Sequence, residues 1–140
     1  MQTATVRWTG KETFLGNTPS GHHVPFDSDR NSNSAPGPME MLLVALGACT
    51  ATDVVSILAK KRQLLESLEI EISGERALSP PRVWVKLEIV YRLRGRNASG
   101  GPLDDKAVRD AIALSKDKYC SVSATLAKTA SISFHHEILS

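Results

Sequence analysis

Cys49 and Cys120 are the only thiols in 140 residues, and no other side chains here are better suited to chemistry. A thiolate is a nucleophile, and two thiols can be oxidised to a disulfide and reduced again. Cys49 lies in Leu46-Gly47-Ala48-Cys49-Thr50-Ala51, among small neighbours. Gly costs about 1 kcal/mol in a helix interior, so Gly47 predicts that something needs close access to the backbone or sulfur there. The plain alternative is a cysteine used as a small buried hydrophobe. Cys120 lies in Tyr119-Cys120-Ser121-Val122-Ser123, at the expected start of a helix. Unpaired N–H groups and the helix dipole favour a thiolate at that position, so local physics names Cys120 the more acidic thiol. Asp53 follows Cys49 by four residues and shares its helix face. Glu40 precedes Cys49 by nine residues, the opposite side of an ideal helix, and its ordinary role is that of a first-turn acid. His22-His23 and His135-His136 fall on strands, so each pair points to opposite faces. No metal-ligand spacing supports them, no metal site is expected, and His136 reads as a hydrogen-bonded core histidine.

Seventeen basic against 15 acidic residues, with 5% aromatics, exclude the basic, aromatic-interleaved surface of a nucleic-acid binder. At 41% hydrophobic residues the chain reads as one folded domain spanning 1–140. Two cysteines are too few for a disulfide scaffold, and Met1-Gln2-Thr3-Ala4-Thr5-Val6-Arg7 has no apolar leader. The expected compartment is the cytoplasm.

The elements that would position the cysteines can be placed from periodicity. Three short strands are expected in the first 27 residues, then a polar loop, Ser28 to Gly37. Pro38 to about Arg62 reads as a helix, with Pro38 at its first position, Glu40 in its first turn and Lys60-Lys61-Arg62 at its end. Its core of 12 uncharged residues, Met41 to Thr52, is apolar on nearly every face and shorter than the roughly 20 that a membrane span needs. A helix apolar all round must be buried all round, so a sheet covers one side and a partner chain the other. Leu68-to-Glu75 and Arg82-to-Arg94 then form a hairpin, with Glu75 opposite Arg82 and Glu71 opposite Lys86. Asp104 caps a helix that lines up Val108, Ala111, Ile112 and Ser115; a second helix begins near Cys120, and a strand from Ser131 closes the chain. The order predicts an α+β fold.

Pro38-Met39-Glu40-Met41-Leu42-Leu43-Val44-Ala45-Leu46-Gly47-Ala48-Cys49-Thr50-Ala51 and Tyr119-Cys120-Ser121-Val122-Ser123 resemble the two cysteine motifs of the OsmC/Ohr family, over essentially the whole chain. Thr18-Pro19-Ser20-Gly21-His22 and Asp53-Val54-Val55-Ser56-Ile57-Leu58 agree with its YhfA-like branch. The resemblance implies an antiparallel sheet wrapped against a long central helix, in an intertwined homodimer with its active sites at the subunit interface. It implies a peroxidase in which Cys49 is the peroxidatic and Cys120 the resolving cysteine, acting on an organic hydroperoxide and reduced by a lipoyl-type dithiol. No cofactor, nucleic acid or membrane is implied. Hydroperoxide-resistance members activate the cysteine with an Arg in the first strand-turn region and a Glu directly after the Pro. Here Lys11 occupies the comparable turn, Met39 follows Pro38 and Glu40 stands one position later, with Arg30 in the loop before the helix as a substitute cation. Asp53 is a further positioning candidate. Lys lacks the bidentate fork of Arg, so the pair is rebuilt or absent. Two other functions compete: a binding or redox-sensing dimer using the same groove, and a hot-dog-like thioesterase with Glu40 or Asp53 as base.

Overall fold

In a computed structural model that describes residues 1–140, the alternating N-terminal stretches form an antiparallel meander of β1 (Thr5–Gly10), β2 (Thr13–Asn17) and β3 (His23–Asp27). The chain divides into two compact units, Met1–Leu42 and Leu43–Ser140. In the first, Val6 and Trp8 on β1 are exposed. The loop after β3 is organised by Asp27, whose fully buried carboxylate accepts hydrogen bonds from the Ser32 and Ser34 hydroxyls (2.6 and 2.7 Å) and from the Asp29 and Ser34 backbone N–H groups (2.9 and 3.0 Å). The two hydroxyls and then the two N–H groups hold this carboxyl far below the usual carboxylate range. Its stabilisation is therefore complete above about pH 4 and is lost as pH falls. Asp27→Asn is expected to lower the melting temperature at pH 7. Its difference from the parent chain should shrink toward pH 3, measured by circular dichroism melts at both values.

The long helix α1 (Pro38–Lys60) has the predicted Pro start and basic end. Beyond the 12 uncharged residues, Asp53 is the only charge before Lys60, and by length and composition the 23-residue helix is apolar enough to cross a membrane. Its buried residues in the second unit, Leu46, Thr50, Val54 and Leu58, recur at every fourth position as a single stripe. The other side remains open: Val44 is 63% and Val55 48% exposed.

The second unit corrects two expectations. There is no single antiparallel sheet: a separate three-stranded sheet has the order β4 (Leu64–Arg76), β5 (Trp84–Arg96), β6 (Ser131–Ile138), and β6 runs parallel to β5. A parallel neighbour requires a crossover, which the helices between β5 and β6 supply. The hairpin register is displaced by four residues from the one predicted, with Glu75 opposite Lys86 and Glu71 opposite Val90. The turn holds Pro80 and Pro81, which have no N–H to give a ladder, so pairing starts only at Arg76 and Trp84. An even displacement preserves the faces: Leu87, Ile89, Tyr91 and Leu93 all point inward and are fully buried. The charge logic survives too, because Arg92 faces Glu69 and reaches Glu71 at 2.9 Å and Glu137 at 3.7 Å. A bulge in β4 between Leu65 and Ser67 lies beside Gly95.

Along the crossover, α2 (Asp105–Leu114) buries Val108, Ala111 and Ile112 as expected. Asp104 makes no side-chain cap; its carboxylate accepts instead from the Asn97 and Gln63 side-chain amides, both at 3.1 Å. Residues Ser115–Tyr119 then form a π-turn, followed by α3 (Ser121–Leu126). His136 is hydrogen-bonded as anticipated, at 2.7 Å from an Asp105 carboxylate oxygen, but it is half-buried rather than in the core.

Candidate active site

Within the second unit, α1 and the π-turn bring the two cysteines together. Cys49 is half-buried and Cys120 is buried, with 3% of its surface exposed. The π-turn places Cys120: its backbone N–H reaches five residues back to the Ser115 carbonyl at 2.8 Å. Such a turn inserts one residue into a helix and rotates the residues after it, a distortion common at functional sites. Cys120 then caps α3, its sulfur accepting the Ser123 N–H at 3.4 Å. The expected lowering of this thiol's pKa does not prevail. Burial pushes it up most, and the hydrogen bond with Cys49 pushes it further up; the Ser123 bonds oppose both. A six-residue helix with one N–H on the sulfur cannot offset the desolvation of a buried thiolate. Burial thus disfavours the thiolate at Cys120.

Gly47 gives the close backbone access expected of it: a Cβ there would stand 3.0 Å from the Ile72 Cδ1, so its smallness admits β4 against the helix.

Sequence reasoning missed three hydroxyls beneath the pair. The Thr50 hydroxyl lies 2.7 Å from the Tyr91 hydroxyl and 2.9 Å from that of Ser115, and Ser115 donates to the Asp53 carboxylate at 2.8 Å. Thr50, Tyr91 and Ser115 are buried. The signal was present: each is a polar residue in an otherwise apolar buried row, and such a residue needs a partner. Burial raises the Tyr91 hydroxyl to about 12 against the opposing Thr50 hydrogen bond, and the nearby Cys120 and Asp53 charges add to the rise. It stays protonated at any ordinary pH.

The remaining candidates belong to the first unit. Arg30 and Glu40 are joined there at 3.4 Å. The Arg30 guanidinium also donates to the Asp27 and Ala35 carbonyls and, at 3.1 Å, to the Asn33 side chain, so it braces the loop. Glu40 accepts the Gly37 N–H at 2.9 Å, the first-turn role expected of it. Lys11 sits exposed in the β1–β2 turn at φ +49°, its carbonyl accepting the Trp8 indole N–H at 2.8 Å. No cluster of His, Cys, Asp and Glu is arranged to hold a metal.

A family model described as OsmC-like protein matches residues 31–135, which carry both cysteines. The chain belongs to the OsmC-like family. This OsmC-like chain is 40% identical over 136 residues to Protein YhfA of Escherichia coli strain K12, covering 97% of each chain. It is also similar to the crystal structure of a hypothetical protein from Aquifex aeolicus VF5, with a TM-score of 0.85, 29% identity and coverage of 99% and 96% of the two chains. The organic hydroperoxide resistance protein OhrB of Bacillus subtilis shares its fold at a TM-score of 0.67 and 12% identity, with 98% of each chain covered. The α+β OsmC-like fold is thus common to proteins of very different sequence.

Proposed function

We propose that this OsmC-like chain is a thiol-dependent peroxidase acting on organic hydroperoxides. The observation that carries the reading is a half-exposed Cys49 in hydrogen-bonding reach of a buried Cys120. Cys49 sulfur attacks the terminal peroxide oxygen; the O–O bond breaks, the alcohol leaves with a proton and Cys49 becomes a sulfenic acid. Cys120 then attacks the Cys49 sulfur, forming a disulfide and expelling the oxygen as water. A lipoyl-type dithiol returns the pair to thiols. Support also comes from the fold shared with a protein named for organic hydroperoxide resistance.

The open apolar side of α1 supports assembly as a homodimer through that face, and the compartment we propose is the cytoplasm. The Arg30–Glu40 pair is the cation and carboxylate that a partner subunit would present to Cys49 in such an assembly. Glu40 is occupied by Gly37 and Arg30, and Asp53 by Ser115, which disfavours either as the base of a thioesterase.

The test is cumene hydroperoxide consumption by the reduced protein with dihydrolipoate as reductant. Peroxide loss that needs both protein and dithiol is the expected result. Oxidation of the cysteines without turnover would instead identify a redox sensor. Hydrolysis of acyl-CoA lost in Glu40→Gln or Asp53→Asn would identify a thioesterase.

A further inference from the structure

A cavity of about 370 Å³, a size that takes a small organic molecule, is lined by Asp53, Ile57, Lys60 and Lys61 and, from the crossover, by Leu114 and Tyr119. It adjoins both thiols along the chain, since Asp53 stands one turn after Cys49 on the same helix face and Tyr119 directly precedes Cys120. Leu114 is 38% and Tyr119 50% exposed, so large apolar surfaces face water here. The two ammonium groups are not committed elsewhere. The end of α1 is closed without them: the Arg62 N–H donates to the Ala59 carbonyl at 3.1 Å and the Gln63 N–H to the Leu58 carbonyl at 2.9 Å, with Arg62 at φ +59°. Lys60 is exposed and makes no ion pair. Lys61 reaches Asp110 only at 3.8 Å, while Lys106 holds the same carboxylate oxygen at 2.6 Å. The acid of the cavity, Asp53, lies about 10 Å back along the helix from Lys60 and accepts from Ser115 at 2.8 Å. Val44 and Val55, on the open apolar side of α1, lie about 180° and 200° round the helix from Asp53. A second copy seated on that side leaves this cavity free.

We propose that this cavity binds an organic monocarboxylate, its charge held between Lys60 and Lys61 and its apolar body lying on Ile57, Leu114 and Tyr119. Charge complementarity selects the class: two ammonium groups without a close acid gain charge-assisted hydrogen bonds from one carboxylate. Covering the exposed faces of Leu114 and Tyr119 supplies the apolar part of the affinity. Asp53 repels a second anionic group, so the charged end settles at the lysines and the neutral end lies toward Cys49. The proposal deepens the peroxidase reading and rests on it for the source of the ligand: either the hydroperoxide or the reducing dithiol carries the carboxylate. The binding itself makes and breaks no covalent bond and stands without that reading.

Calorimetric titration of the reduced protein with octanoate tests this without peroxide. Octanoate is expected to bind, and octanamide, which keeps the body and loses the charge, about tenfold more weakly. Acetate, which keeps the charge and loses the body, should also bind at least about tenfold more weakly than octanoate. Lys60→Gln with Lys61→Gln should cost octanoate about tenfold and octanamide nothing, while Lys60→Arg with Lys61→Arg retains the preference. Both lysines are exposed, so the double Gln variant should keep the fold. Lys86→Gln, which removes a positive charge on β5 outside the cavity, should change neither affinity. Equal affinities for octanoate and octanamide, acetate binding as tightly as octanoate, or a loss in Lys86→Gln equal to that in the double Gln variant would overturn the proposal. Steady-state kinetics then assign the source. If the hydroperoxide carries the carboxylate, the double Gln variant raises KM for linoleate hydroperoxide and not for cumene hydroperoxide. If the dithiol carries it, KM rises for dihydrolipoate and not for dihydrolipoamide. All four constants unchanged would overturn the link to the reaction. Octanoate binding in a protein that turns over no hydroperoxide would sink the peroxidase reading alone, so the two fall separately.

Discussion

Cys120→Ser is expected to abolish sustained hydroperoxide consumption while leaving one equivalent reduced per chain. The hydroxyl cannot form the S–S bond, so oxidation stops at the Cys49 sulfenic acid, which excess peroxide drives to sulfinic acid. Steady-state turnover should fall by at least about 10²-fold, the scale on which a committed catalytic step is lost. Mass spectrometry of the variant after one equivalent of cumene hydroperoxide should show a single added oxygen on Cys49, trappable by a sulfenate-specific dimedone adduct. Cys49→Ser should show no oxygen at all. If Cys120→Ser turned over like the parent chain, the resolving thiol would have to be the external dithiol itself. Serine at 120 is close to isosteric and can still accept the Ser123 N–H, so the fold should be retained.

The largest expected effect on stability is that of Gly95→Ala. A Cβ at this position would stand 2.3 Å from the Leu64 carbonyl oxygen and 3.0 Å from the Leu65 Cα, both backbone atoms of the neighbouring strand. A flexible side chain could move aside; the backbone of a paired strand gives way far less readily. The Leu103 Cδ2, also 3.0 Å away, closes the third direction. Relief requires opening the β4–β5 pairing at the bulge between Leu65 and Ser67, so the loss should reach about 3 kcal/mol, the upper end for overpacking. For a chain of this length that lowers the melting temperature by about 10 °C. Gly100→Ala, where a Cβ would meet nothing within 4 Å, is a control that carries only the strain of its φ of +85°. Equal melting temperatures for Gly95→Ala and the parent would show that the β4 bulge yields freely.

These expectations draw on features legible in the sequence to different degrees. The order of elements could be read because Pro38, the Lys60 end and the alternation of Val83 to Leu93 are each local signals. The faces of the hairpin could be read too, since alternation fixes them. Its register could not, because two prolines moved the start of pairing, and a bulge between Glu75 and Arg76 turned Trp84 inward and Val85 outward, against the alternation. Nor does alternation contain a direction, so nothing in Ser131 to Ile138 distinguished a parallel β6 from an antiparallel one. The π-turn is equally silent, since its residues read as one more turn of helix. The candidate site divides in the same way. Both cysteines and Asp53 stood out by type and spacing. The partners of Thr50 and Ser115 lie 41 to 65 residues away along the chain, and only the folded structure joins them. The acidity of Cys120 was misread because a helix N-terminus is visible in a sequence and burial at a given atom is not.

The parallel pairing of β6 has a kinetic consequence. Cys120 rides on the crossover between β5 and β6, a connection held at one end by a local hairpin and at the other by the last strand of the chain. Pairings of long sequence separation form late, because closing the loop must precede any gain from the contact. The β4–β5 hairpin can therefore mature while Cys120 is still mobile, and the thiol is set into its turn only when Ser131–Ile138 docks. A chain still emerging from the ribosome would hold Cys49 on its helix well before the second sulfur has a fixed place. The fixed geometry of the pair is thus a property of the finished molecule.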